Sequence, residues 1–182
     1  DTTRRRIIEA AYACVERDGL GALTVEEVAR EAGVARATVY RTFPGGRDEV
    51  VGAAVAHAVA GFFADLRRDI GDAPDLATLL ERGLVAARRR LESHAALQRA
   101  LQEEAGQIVP RLATVMPLVI DGVRAELTSR LARERLRPGV VPDQAADLLA
   151  RLFLSLIGSP GSWDLDDPDA ARRLVRGQLL AG

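Results

Sequence analysis

The chain has 182 residues, a mass of 19.6 kDa, 28% charged residues and a formal net charge of −1. That length suits one compact domain, or a small domain joined to a larger one. A single cysteine, Cys14, and two histidines, His57 and His94, exclude an intramolecular disulfide framework and any multi-thiolate zinc or iron–sulfur centre.

Ala (31) and Leu (24) dominate and aromatics reach only 4%. The first two favour helices, whereas strands favour β-branched and aromatic residues, so an all-α fold is expected. The longest apolar stretch, Val50 to Ala64, contains His57 and is closed by Glu49 and Asp65. It is short of the roughly 20 residues of a spanning helix and reads as a helix buried in protein. No secretory signal is read, and the cytoplasm is the expected compartment. All 25 basic residues are Arg; so uniform a choice is best read as a coding bias. The near-neutral bulk charge argues weakly against a nucleic-acid binder.

In chain order, Thr2 to Arg17 carries Ile8, Ala11, Tyr12 and Val15 at helical spacing, and Asp18-Gly19 ends this first helix. Cys14 lies beside that stripe as a structural thiol. Thr24-Val25-Glu26-Glu27 is a capping box opening a short helix, Val25 to Ala32, which Gly33 breaks. A second short helix follows at about Arg36 to Thr42. Phe43-Pro44-Gly45-Gly46 is a turn, and Arg47-Asp48-Glu49 opens a long helix to about Ile70. Pro74 is expected at the start of the next helix, Leu76 to Glu92, with another at about Ala95 to Glu104. Pro110 is expected to start a helix to Arg137, kinked at Pro117 and stopped by Pro138-Gly139. Pro142 to Ile157 reads as a helix apolar on two sides. Ala145, Leu148, Leu149, Leu152 and Leu156 form one face; Ala146, Phe153 and Ile157 form another. Such a helix must be covered twice. Asp167-Pro168-Asp169 opens a last helix with Ala171, Leu174, Val175 and Gln178 on one face. Nine helices are expected.

The segment Thr24 to Thr42 has the form of a helix-turn-helix. Its first helix is short and apolar on one side, and its turn has a glycine. Its second helix keeps Val34 and Val39 for the core and presents Arg36, Ala37, Thr38, Tyr40 and Arg41 on the other side. Ala37 is small enough for close approach to a base edge or a thymine methyl. Tyr40 could instead be core with a wet hydroxyl. From Arg30 to Arg47 there are four Arg and one acid, a local charge of +3. Residues 1 to 50 nevertheless hold eight Arg and nine acids, so DNA binding requires the acids to face away from the duplex. Arg4, Arg5 and Arg6 read either as a phosphate-contacting arm or as ordinary solvated charge.

The string from Leu23-Thr24-Val25-Glu26-Glu27-Val28-Ala29-Arg30 through Gly33-Val34-Ala35-Arg36-Ala37-Thr38-Val39-Tyr40-Arg41-Thr42-Phe43-Pro44 resembles the DNA-binding domain of the tetracycline-repressor (TetR) family. The preceding Arg6-Ile7-Ile8-Glu9-Ala10-Ala11 is similar to that family's first helix. The resemblance implies a three-helix DNA-binding domain over residues 1–46 and an effector-binding and dimerisation domain over 47–182. It implies that Thr24 caps the second helix and touches a phosphate, that Arg36, Ala37 and Thr38 meet base edges, and that Tyr40 bonds phosphate. Arg47 stands where the family has a phosphate-binding lysine, but the turn before it is longer by one residue, with Gly45-Gly46 ahead of it.

For the remaining helices the resemblance implies a small-molecule effector, expected to be largely apolar. Phe63, Leu101, Gln102, Met116, Phe153 and Trp163 are candidate pocket residues, with core filler or interface the alternative for each. His94 and Gln107 are possible polar anchors. The last two helices are implied to form a homodimer interface with contributions from Leu148, Leu152, Leu156, Leu174 and Val175. The two-sided Pro142–Ile157 helix independently asks for a second partner. No cofactor, metal site or membrane partner is read, and no nucleophile–His pair or phosphate-cradling loop points to an enzyme. The expected function is a homodimeric repressor that binds a palindromic operator of double-stranded DNA and is released by effector. The alternative is a dimeric helical ligand-binding or interaction protein of the same fold without sequence-specific DNA binding.

Overall fold

The computed structural model describes residues 2–134, 136 and 138–180, and every regular element among them is helical. The order is α1 (Thr2–Asp18), α2 (Val25–Glu31), α3 (Arg36–Thr42), α4 (Gly46–Ile70), α5 (Leu76–Ser93), α6 (Ala95–Glu103), α7 (Ala105–Leu131), α8 (Pro142–Gly158) and α9 (Pro168–Leu174), closed by a π-helical turn over Val175–Leu179. These make two compact units. One is Asp1–Phe62 with His94–Val115; the other is Phe63–Ser93 with Met116–Gly182. These units group most of α4, all of α6 and the first turns of α7 with α1 to α3, and their boundaries differ from the expected 46/47.

In the first unit, α1 buries Ile7, Ala10, Ala11 and Cys14. The buried stripe is displaced by one residue from the expected one. Ile8, Tyr12 and Val15 pack at its margin, while Ile7, Ala11 and Cys14 are its most buried residues. Cys14 is therefore inside the core, and burial pushes its thiol pKa up. Gly19, at φ +89°, ends α1 as expected. The same core takes Val25, Val28 and Ala29 from α2, Val39 from α3, Phe43, Val50, Val51, Ala54 and Val55 from α4, Ala100 from α6 and Ile108 from α7.

In the second unit α5 packs against α8 and α9. The contact of α5 with α8 is close: a Cβ on Gly83 would lie 3.0 Å from Cε2 of Phe153. Glu81 of α5 holds the chain's last turns, accepting from Arg176 Nε at 2.6 Å with Arg172 Nε at 3.7 Å. The α4–α5 loop is tied by Arg82, which donates to the Ile70 carbonyl (3.2 Å), and Arg130, which donates to that of Ala73 (2.8 Å).

Several boundaries differ from expectation, each for a local reason. Asp75 caps α5, its Oδ1 accepting from Thr78 N at 2.7 Å, so Pro74 precedes the cap and is not the first helical residue. Helix α7 begins at Ala105, five residues before Pro110. The Glu104 carbonyl accepts from Gln107 N (2.8 Å) and Ile108 N (3.1 Å), so Glu104 alone separates the helix from α6. Pro110 is then interior and forgoes one bond. Pro117 lies within α7, just past the end of the first unit. At its far end α7 closes at Leu131 and tightens into three-residue turns, Arg133 N to Arg130 O and Glu134 N to Leu131 O. The expected end, Arg137, lies outside the described residues. The last helix passes into the wider π-turn at Val175, which leaves Gln178 exposed and off the face of Ala171, Leu174 and Val175.

Apolar surface on α8 and on α4 remains partly uncovered. On α8, Ala146, Leu149, Ala150, Phe153 and Ile157 are buried, but Leu148 is 59% and Leu152 37% exposed, with Leu156 half-buried. The two-sided reading of this helix therefore holds, with Leu149 moved to the covered side. The apolar stretch of α4, expected to be buried, is not buried throughout: only 28% of its most apolar 18-residue window is covered. By length and composition alone this helix could cross a membrane, although Val50, Val51, Ala54 and Val55 belong to the first unit's core.

Candidate nucleic-acid interface

The helix-turn-helix is built from local signals. Thr24 Oγ1 accepts from Glu27 N (3.2 Å) and the Glu27 carboxylate accepts from Thr24 N (3.1 Å), so the capping box is complete. This pins the first turn of α2. Gly33 then reverses the chain at φ +62°, a conformation that a side chain rarely adopts. Arg6 of α1 covers this turn, donating from Nη2 to the Ala32 carbonyl at 2.5 Å, and a Cβ on Gly33 would sit 3.3 Å from the same nitrogen. Arg4 lies over the Phe43 ring, Cζ 4.3 Å from its centroid, and Arg5 pairs with Glu9 at 3.5 Å. Arg4 and Arg6 are thus neither a free arm nor idle charge. They brace α1 against the turn before α3 and against the end of that helix.

With Val39 and Phe43 fully buried, α3 has one orientation. Arg36, Ala37, Tyr40 and Arg41 are exposed and Thr38 is half-buried, so the structure brings these five to one outward side. Tyr40 is 41% exposed and is not core. Its ring lies against Gly46, where a Cβ would approach Cε1 to 3.2 Å. Gly46 also has φ +62°. The glycine turn thus seats Tyr40.

Arg47 does not join this side. Its Nη2 donates to the Leu20 carbonyl (2.6 Å) and its Nε to that of Leu23 (2.8 Å). The guanidinium is spent on the α1–α2 loop, with Asp48 3.7 Å away. The side chain thus points to main-chain carbonyls rather than towards a surface ligand.

Most of the acids around this motif are engaged by other groups. Glu27 is used in the cap, Glu49 accepts from Gly45 N (2.9 Å), Glu31 lies 3.4 Å from Arg17, and Asp48 accepts from Arg111 (3.0 Å). Glu16 accepts from the Tyr12 hydroxyl (2.6 Å); burial and this carboxylate push the tyrosine pKa up to about 12. Glu26 is different. It lies 2.5 Å from Arg36 Nη1, with both side chains more than half exposed. Arg36 Nη2 also donates to the Tyr40 hydroxyl at 3.3 Å.

Glu104 is a residue that sequence reasoning missed. Its carboxylate accepts from Leu20 N (2.9 Å) and Gly21 N (2.6 Å), and a Cβ on Gly21 would meet it at 2.8 Å. Arg99 of α6 adds a bond to the Glu16 carbonyl (2.7 Å). The glycines of Gly19-Leu20-Gly21 hint at a loop that invites such a partner. The partner itself lies over eighty residues away in the chain and has no local signature.

The candidate effector residues fall in both units. Leu101 and Gln102 are exposed on α6 in the first unit, while Phe63, Met116, Phe153 and Trp163 belong to the second. Phe153 is buried against Gly83, and Trp163 N closes a turn onto the Pro160 carbonyl (3.1 Å). His94 caps α6, its Nδ1 accepting from Leu97 N at 3.2 Å. Of the expected interface residues, Leu148 and Leu152 are exposed and Leu156 is half-buried, whereas Leu174 and Val175 are buried within the protomer. The last two have no surface left to give a partner. Among the described residues no group of three His, Cys, Asp or Glu is placed to hold a metal.

The family model for bacterial regulatory proteins of the tetR family matches residues 7–54. An uncharacterized HTH-type transcriptional regulator of Mycobacterium tuberculosis, Rv2250c, is 32% identical over 139 residues, spanning 75% of this chain and 71% of the relative. A counterpart in Mycobacterium bovis, Mb2274c, shows the same identity over the same span. Among solved structures, the TetR-family repressor QsdR of R. erythropolis superposes with a TM-score of 0.69 at 22% identity, covering 99% of this chain and 95% of that one. GusR of Salmonella enterica gives a TM-score of 0.64 at 20% identity, covering 99% and 96%. At those identities the structural likeness is one of fold. The sequence relatives, the matched helix-turn-helix and the all-helical architecture together place this chain in the TetR family of transcriptional regulators.

Proposed function

We propose that the chain is a homodimeric repressor that binds a palindromic DNA operator through α3 and is released by a small apolar effector. The observation that carries DNA binding is the outward side of α3. Arg36, Ala37, Thr38, Tyr40 and Arg41 share it, on a helix whose orientation is fixed by Val39, Phe43 and the Arg6-covered turn. Arg41 and Arg36 supply donors for phosphates or guanine, Tyr40 a hydroxyl for phosphate, and Ala37 a place for close approach. Thr24 stands exposed at the start of α2 as a further phosphate contact. Arg47 acts as a brace for the α1–α2 loop.

The exposed leucines of α8 support the dimer, since a two-fold axis doubles each apolar contact. Leu148, Leu152 and Leu156 form its seam. Two recognition helices would then lie about one DNA turn apart, roughly 34 Å. The thinly covered apolar length of α4 supports an apolar effector. Effector binding shifts the dimer towards a spacing that misses consecutive major grooves, by as much as its affinity differs between the two states. Repression agrees with QsdR, itself a transcriptional repressor.

One observation favours the second reading, a ligand-binding protein without sequence-specific DNA binding: the carboxylate of Glu26 on Arg36. A salt titration separates the two. Binding of fluorescent duplex DNA to wild type should weaken steeply with salt, and Arg41→Ala should lower the logarithmic slope by about 0.9 per protomer in contact. A flat salt response, or an unchanged slope in Arg41→Ala, would remove α3 as the phosphate-engaging element.

A further inference from the structure

We infer that Glu26 and Arg36 act as one unit that reads a single oriented G·C base pair in each half-site, which makes Glu26 a specificity-determining residue. This rests on the DNA-binding reading above. Glu26 is in the first turn of α2 and Arg36 is the first residue of α3. Glu26 Oε1 lies 2.5 Å from Arg36 Nη1, and the two side chains are 55% and 60% exposed. The couple is steadied from the far side, where Arg36 Nη2 donates to the Tyr40 hydroxyl at 3.3 Å and Cζ lies 5.4 Å from the ring centroid.

An exposed carboxylate beside a recognition helix is repelled by phosphates. It is favourable there where the duplex offers it a donor. In the major groove the donors are the amino groups of cytosine N4 and adenine N6; guanine and thymine present acceptors. Arg36 has the opposite need, because a guanidinium carries five N–H donors and no acceptor. Placed side by side, the two present donor, donor, acceptor. A G·C pair presents N7 acceptor, O6 acceptor and N4 donor in that order, whereas an A·T pair presents acceptor, donor, acceptor and methyl. The complement of the couple is therefore G·C in one orientation. Glu26 gives up no structural duty for this, because Glu27 makes the reciprocal capping bond.

The test is selection from randomised duplex DNA, run in parallel with wild type, Glu26→Ala and Glu26→Gln at physiological salt. Circular dichroism and dimer mass confirm that each variant is folded. Wild type should enrich a motif with one near-invariant G·C position per half-site. Glu26→Ala should lose the C preference there, with discrimination against the wrong pair falling roughly tenfold. The rest of the motif stays the same, and affinity for non-specific DNA rises as a repelling charge is removed. Glu26→Gln, which keeps the shape and adds donors, should relax the same position and no other. If wild type enriches a motif and both variants return it unchanged, Glu26 is only a brake on phosphate contact and the inference is overturned. If wild type enriches nothing, the DNA-binding reading fails and this inference fails with it.

Discussion

The open sides of α3 and α8 are dressed in opposite chemistry. The open side of α3 carries Arg36, Ala37, Thr38, Tyr40 and Arg41, while that of α8 carries Leu148 and Leu152 with Leu156 at its edge. Helix α3 is seven residues long and would not persist alone. It is held by Val39, by Phe43 and by arginines that bond main-chain carbonyls around it. Helix α8 has five buried residues of its own and needs no such scaffolding. An outward side rich in donors suits a polyanion, whereas exposed leucines suit another protein surface. The contrast extends to arginine. Arg4, Arg6 and Arg47 spend their donors on the carbonyls of Thr42, Ala32 and Leu20, and so fix loops that local propensity leaves open. Arg124 and Arg151 pair with Asp143 and Asp147 along exposed helix sides, where such pairs contribute little.

Breaking α8 should have the largest effect. Leu148→Glu with Leu152→Glu places four charges at a two-fold seam and should weaken self-association by roughly 10³-fold or more. Sedimentation velocity reads this directly, and an unchanged dimer would move the interface elsewhere. Next is the brace. Arg47→Ala removes two charge-assisted bonds to carbonyls and should cost about 1–3 kcal/mol of stability, a Tm drop of several degrees in the free protein. If the Tm is unmoved while DNA affinity falls, Arg47 contacts phosphate and the inward geometry is not its working state. A smaller effect comes from Tyr40→Phe, which deletes one hydroxyl at the exposed side. Operator affinity should fall about fivefold with no change in Tm, as checked by fluorescence anisotropy.

The smallest effect is on acid stability. The Arg90 guanidinium holds the Asp69 carboxyl below its ordinary range, and the Thr78 N–H does the same for Asp75. Both carboxyls bind protons more weakly folded than unfolded. Their stabilisation is therefore complete above the unfolded value of about 3.9 and is lost as pH falls through the lower folded values. Asp75→Asn should flatten the decline of Tm below about pH 4 slightly. A variant that steepens it would reverse the assignment.

What the sequence reveals of this fold tracks how local each cause is. Helices α2 and α3 were readable almost to the residue, because Thr24, Glu27 and Gly33 act within a few positions of themselves. The α1 stripe is displaced by one because adjacent Ile7-Ile8 and Ala10-Ala11 offer two acceptable stripes, and packing chose the one through Ile7 and Cys14. Pro110 misled because prolines mark helix starts on average, yet Glu104 had already begun the turn. The π-turn after Leu174 has no composition signal. At the candidate interface the outward residues of α3 were readable from periodicity, whereas the inward turn of Arg47, the clamp of Glu104 and the pairing of Glu26 with Arg36 each join segments distant in sequence. The effector residues were least readable, since an apolar residue lining a pocket and one filling a core look alike until packing separates them, as it did for Phe153 against Gly83.

The central claim, that the outward side of α3 reads DNA as one half of a two-fold pair, is tested most directly by selecting purified wild-type protein against randomised duplex DNA at physiological salt. The account predicts one enriched palindrome whose half-site centres lie one helical turn or slightly more apart, about 10 base pairs or more. A folded, dimeric sample that enriches no motif, or only a single unpaired half-site, would contradict it.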